Sequence, residues 1–199
     1  MPRGDTSGRG QVRNIPLGII RLATGHADGL AQFRDTTDAF LASLAPLVAF
    51  PLVGGALTLL GGGGVEAVSE LLATLCALLA PLVLSFEAAR LFGRAAQWYR
   101  FAVAFNWCQW AIPMAAVLLV MLAGVLMALG LPNRTCVLIL IGMLVAYGLW
   151  LHWFLARHGL SLRPGQALLL VLGVNVVSAL LILAPQLLIW AAGGSLGDG

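Results

Sequence analysis

The chain has 199 residues, of which 60% are hydrophobic and only 10% charged, and its mean hydropathy is +0.96; soluble domains carry about 25% charged residues. That composition excludes a water-soluble globular fold and makes lipid the solvent for most of the surface. The formal charge of +3 does not make a nucleic-acid surface, because the arginines sit in short segments between apolar runs and not along one face.

Residues 1–14 are polar and glycine-rich and read as a disordered tail. The Arg3-Gly4-Asp5 triplet there is read as chance. Residues 15–35 form a lead-in: Ile15, Leu17, Ile19, Ile20 and Leu22 predict a short helix at the membrane surface, stopped at Gly25, and a second helical piece carries Leu30 and Phe33. Thr36, Thr37 and Asp38 supply capping side chains where the first long apolar run begins. No signal-peptide pattern precedes that run, so the N-terminus is expected to be retained.

A hydrocarbon core ~30 Å thick needs about 20 apolar residues at ~1.5 Å each. Five uncharged runs meet that length, so residues 36–192 are predicted to be an all-α polytopic membrane bundle. The first span covers residues 39–60 and ends at the glycine run 61–64, read as a flexible turn. Glu70 and Glu87 bracket the second. The third lies in the long uncharged stretch between Arg100 and Arg134; its first part, 101–110, is expected at the interface or tilted, and its buried part at 112–131. The fourth covers 135–154 and the fifth 165–190, leaving 193–199 as an exoplasmic tail.

Arginine placement sets the expected orientation. Of the 11 basic residues, all arginine, only Arg134 falls on the opposite side from the rest, which predicts a cytosolic N-terminus and an exoplasmic C-terminus. Trp98, Tyr99, Trp107, Trp110, Trp150 and Trp153 gather at the inner ends of the third and fourth spans and predict an interfacial belt, with Trp190 at the outer end of the fifth. The lack of lysine and the Ala, Gly and Leu bias resemble a GC-rich bacterial coding sequence, which implies a bacterial inner membrane.

Few motifs carry chemistry. Gly193-Gly194-Ser195-Leu196-Gly197 has the GxSxG spacing of a nucleophile elbow, but that device needs a strand-turn-helix with acid and histidine partners. Here it lies in a polar tail. Cys76, Cys108 and Cys136 lack CxxC spacing and are read as buried free thiols, and His26, His152 and His158 lack metal-ligand spacing, so neither metal nor cofactor is expected. Pro46, Pro51, Pro81, Pro113 and Pro185 fall inside spans, where each removes one backbone hydrogen bond and marks a packing kink.

Polar groups at membrane depth point more directly to function, because they are costly in hydrocarbon and face the bundle interior. Asn175 lies ~15 Å into the fifth span, with Ser178 one turn on and Gln186 returning to nearly the same face. Tyr147 lies as far before the connecting loop as Asn175 lies after it, so the two are expected to face each other or a shared partner. A second constellation gathers at the inner side: Glu87 and Arg90 at ion-pair spacing, then Asn106 and Gln109, whose carbonyl Pro113 frees.

Five spans, a cytosolic N-terminal segment and an exoplasmic C-terminus over residues 36–192 resemble the Yip family, membrane proteins that in eukaryotes associate with Rab GTPases and have bacterial relatives. The stretches 25–40 (GHADGLAQFRDTTDAF), 99–109 (YRFAVAFNWCQ) and 150–156 are similar to inner-membrane proteins of alphaproteobacteria. The resemblance implies a non-enzymatic interaction or membrane-organising protein, surrounded by lipid and bound to a membrane-protein partner or a second copy. It brings no catalytic motif and no Rab-binding residue. The alternative is a small transporter or channel component built around the Asn175 stripe. A continuous water-lined cavity reaching Asn175 would favour transport, whereas a tightly packed bundle with an exposed apolar or aromatic inner surface would favour interaction.

Overall fold

The computed structural model describes residues 14–194, and side chains over 14–183. The elements are α1 (Ile15–Ala23), a 3-10 helix (Ala27–Gln32), α2 (Thr37–Leu60), α3 (Gly64–Leu91), a 3-10 turn (Ala95–Gln97) leading into α4 (Trp98–Cys108), α5 (Ala111–Ala128), α6 (Asn133–Gly159) and α7 (Pro164–Gly194). Among the described residues there is no strand. Five segments are long and apolar enough to cross a membrane: α2, α3, the α4–α5 stretch, α6 and α7. The chain is an all-α, multi-pass membrane protein.

Local chemistry fixes the helix ends. The Asn14 side chain accepts from the Leu17 amide at 3.1 Å to open α1, and the Thr36 hydroxyl accepts from the Ala39 amide at 3.3 Å to open α2. Gly25, at φ 85°, carries the chain out of α1 in a conformation that costs a side-chain-bearing residue energy. The helices run on through Pro46, Pro51 and Pro81.

The spans pack as a row in the order α2, α3, α7, α6, α5, and α4 lies against α2, α3, α6 and α1 at the end where the arginines of three segments meet. The sequence reading sets residues 101–110 apart from the span that follows, and the helix breaks there; what it did not foresee is enclosure, since Phe101 to Asn106 and Cys108 are all buried against other elements. The reason is legible after the fact: from Phe101 to Cys108 the chain carries no charge and Asn106 is its one strongly polar side chain, which suits a helix enclosed by others. The turn between α4 and α5 comes where Pro113 can offer no amide to the Gln109 carbonyl, which accepts from Ile112 at 3.3 Å.

Trp98 is enclosed as well. It was expected in the headgroup belt, yet it is buried, its Nε1 donating to Ser85 Oγ at 3.1 Å and its ring flanked by Phe40, Phe86 and Tyr99. Trp153 keeps a belt-like setting, donating to the Pro164 carbonyl with Arg157 over its ring. The thiols divide as well: Cys108 and Cys136 are buried, but Cys76 is exposed.

The lead-in docks on the bundle. Leu22 and Phe33 are fully buried, α1 packs on α4 and also touches α5 and α6, and the ion pair Arg100–Asp35 at 2.9 Å ties the segment before α2 to α4. Both partners of that pair are about half exposed, 49% and 51%, so its contribution is about 0–1 kcal/mol. Arg100→Ala is expected to leave the thermal midpoint in detergent almost unchanged.

Candidate functional site at the centre of the bundle

Four helices line one small cleft, open on the side where Asn175 is exposed. Pro81 and Ser85 come from α3, Phe101 and Phe105 from α4, His152 and Ala156 from α6, and Val171 and Asn175 from α7. The open volume is ≈ 20 Å³, room for about one water molecule. Its polar groups are engaged. Ser85 accepts from Trp98 and donates to the Leu82 carbonyl at 3.0 Å. His152 Nε2 meets Gln109 Nε2 at 3.4 Å, and its ring lies 5.1 Å from that of Phe105. Asn175 donates to the Val171 carbonyl of its own helix at 2.8 Å.

One turn along α4 lies the most deeply placed polar contact. Asn106 Nδ2 donates to Ser43 Oγ at 3.0 Å, and Ser43 donates in turn to the Phe40 carbonyl at 2.7 Å. Both side chains are about 1% exposed. Asn106 Oδ1 is buried and accepts no hydrogen bond, a costly state for an amide oxygen. The pair locks α4 to α2 and leaves one strong acceptor unsatisfied beside the cleft-bearing helix.

The residues singled out from sequence are distributed differently from expectation. Tyr147 donates to the Ala23 carbonyl at 3.1 Å, joining α6 to the end of α1, and no hydrogen bond joins it to Asn175. Ser178 Oγ is buried without a partner, and the side chain of Gln186 lies outside the described residues, as does Ser195 of the GxSxG run. Glu87 and Arg90 form the expected pair at 3.0 Å, both exposed, with Arg90 also over Phe86. Asn106 and Gln109 do not join them, since one bonds α2 and the other α6. Ser43 and Ser85 escaped the sequence reading; single hydroxyls inside apolar runs gave no periodic signal, and the fold alone brings them, with His152, onto α4.

The tyrosine contact gives a direct test of how the lead-in is held. Tyr147→Phe removes one neutral hydrogen bond, worth about 1 kcal/mol net, and leaves the ring stacked on Trp150. It should lower the thermal midpoint by a few degrees without altering expression.

Among the described residues, no three of His, Cys, Asp or Glu lie close enough to hold a metal ion. No protein-family model, curated protein or solved structure matches the chain. A functional reading therefore rests on the residues themselves.

Proposed function

We propose that this chain is a non-enzymatic, Yip-like organising protein of a bacterial inner membrane, with its arginine-rich end in the cytosol, that works by binding a membrane-protein partner or a second copy of itself. The observation that carries this reading is the enclosed helix α4. It fills the space between α2, α3 and α6 with buried aromatic and small apolar side chains, and the cleft that reaches Asn175 has room for about one water. A solute path through that half of the bundle would have to displace a packed helix. The arginine-rich end also carries exposed apolar and aromatic side chains, Phe86, Leu91, Phe92 and Tyr99, beside the exposed Glu87–Arg90 pair. Anchors of that kind rimmed by charge suit a protein contact. The transporter reading would rest on Asn175 and Ser178, and Asn175 gives one of its two N–H donors to its own helix.

The test is affinity purification of the tagged full chain from its native membrane in mild detergent, with quantitative identification of co-purifying protein. A stoichiometric partner or a stable homo-oligomer is expected; a lone monomer that conducts solute in liposomes would overturn the proposal. Glu87→Ala should reduce partner capture severalfold while membrane insertion is unchanged, and loss of insertion would remove Glu87 from the contact.

A further inference from the structure

At the end away from most of the arginines, α2 and α3 are joined by the glycine turn 61–64 and leave a groove between them of ≈ 160 Å³, lined by Pro51, Gly54, Gly55, Thr58, Glu70 and Thr74, among others. The helices meet closely at Gly55, where an added Cβ would lie 2.8 Å from Leu71. At Gly54, by contrast, nothing lies within 4 Å of where a side chain would begin, so the groove is open there.

Each of its polar side chains can accept a hydrogen bond. Thr58 donates its hydroxyl to the Gly54 carbonyl at 3.0 Å, leaving its oxygen lone pairs toward other donors. Glu70 adds a carboxylate, and Thr74 one turn on adds a hydroxyl; both are exposed. The ion pairs among the described residues are Arg21–Asp28, Arg90–Glu87 and Arg100–Asp35, and none includes Glu70.

The position of this carboxylate needs an explanation. A helix of 28 residues rises ~42 Å, against ~30 Å of hydrocarbon, so Glu70, ~9 Å from Gly64, falls near the hydrocarbon boundary, and its side chain is exposed. The helix dipole does not account for it, since that effect fades beyond the first turn, where Glu66 already sits. An exposed ionisable group near the hydrocarbon boundary, in no ion pair among the described residues, is open to a ligand of opposite charge.

We propose that this groove binds a primary ammonium group, supplied by the headgroup of a bilayer lipid or by a soluble amine. One carboxylate answers the charge, and the carboxylate and hydroxyl oxygens answer the three N–H donors. A quaternary ammonium carries the same charge without those donors and would lose the hydrogen bonds. The inference depends only on the chain spanning a bilayer and not on the partner-binding reading above.

The experiment is native mass spectrometry of the full chain released from nanodiscs containing equal phosphatidylethanolamine and phosphatidylcholine of matched acyl chains. The wild type is expected to retain phosphatidylethanolamine at least tenfold over phosphatidylcholine, and Glu70→Gln to abolish the preference. Gly54→Leu fills the groove without touching the carboxylate and should do the same, which decides the matter if Glu70→Gln fails to fold. Glu87→Gln, at the other end of α3, should leave the preference intact. Free ethanolamine assigns the source: displacement of the lipid means that the ammonium alone is read, and retention means that the whole headgroup is required. Equal retention of the two lipids by the wild type, or an undiminished preference in folded Glu70→Gln, overturns the proposal.

Discussion

Gly29→Val is expected to release the lead-in from the bundle while the five spans stay inserted. An added Cβ at Gly29 would lie 2.9 Å from the Gly18 carbonyl oxygen and 2.9 Å from Arg21 Cβ. One of these atoms is backbone, and α1 cannot rotate away without dragging Leu22, which is fully buried, and Phe33, whose ring lies 2.8 Å from the Cβ position of Gly18. Overpacking of this kind costs about 1–3 kcal/mol. Spent on local opening, it raises the population of the undocked lead-in roughly 5- to 150-fold, and cleavage of a fast-opening segment follows that population. Limited trypsin digestion at Arg21 and Arg34 should accelerate by that factor, and the fragment beginning after Arg34 should remain in the membrane. Unchanged digestion would mean that the segment is already undocked in the lipid-embedded protein.

The five spans were legible because each requirement is long and one-dimensional: an uncharged run of sufficient length reports the solvent around it, whatever its neighbours do. The helix start at Thr36 was legible for a local reason as well, since capping needs only a side-chain oxygen just before an apolar run, whereas Asn14, which caps α1, was read as part of the tail. The location of α4 was not. Between Arg100 and Asn106 its sequence is wholly apolar, and that is the signal that was underweighted: such a stretch must be surrounded, by lipid or by protein. Which of the two holds depends on α2, α3, α6 and α1 converging there, a tertiary fact that no window of sequence contains.

The candidate site was harder still. Depth counting placed Tyr147 and Asn175 at similar levels, but depth fixes one coordinate and rotation about each helix axis fixes the other. The rotation of α6 turns the Tyr147 hydroxyl to the end of α1, a partner separated from it by 124 positions. The Glu87–Arg90 pair was readable because its geometry is confined to one helix turn. Asn106 and Gln109, three apart on paper, point to different neighbours.

Asn106 offers the sharpest separation of stability from function. Asn106→Ala removes the bond to Ser43 and leaves a void in a packed region, and is expected to cost about 1–3 kcal/mol. Asn106→Leu should behave in the opposite sense. It fills a similar volume and eliminates the unsatisfied Oδ1, whose burial costs about 1–3 kcal/mol, while Ser43 keeps its own donation to the Phe40 carbonyl. The thermal midpoint in detergent should therefore rise or hold for leucine and fall for alanine. A buried acceptor that lowers stability is a mark of a group held for use. If Asn106→Leu yields a more stable protein that no longer captures its partner, the acceptor serves the contact or a movement of α4 that precedes it. If capture is unaffected, Asn106 is a packing residue that fixes α4 on α2, and the contact lies wholly on the exposed end around Glu87.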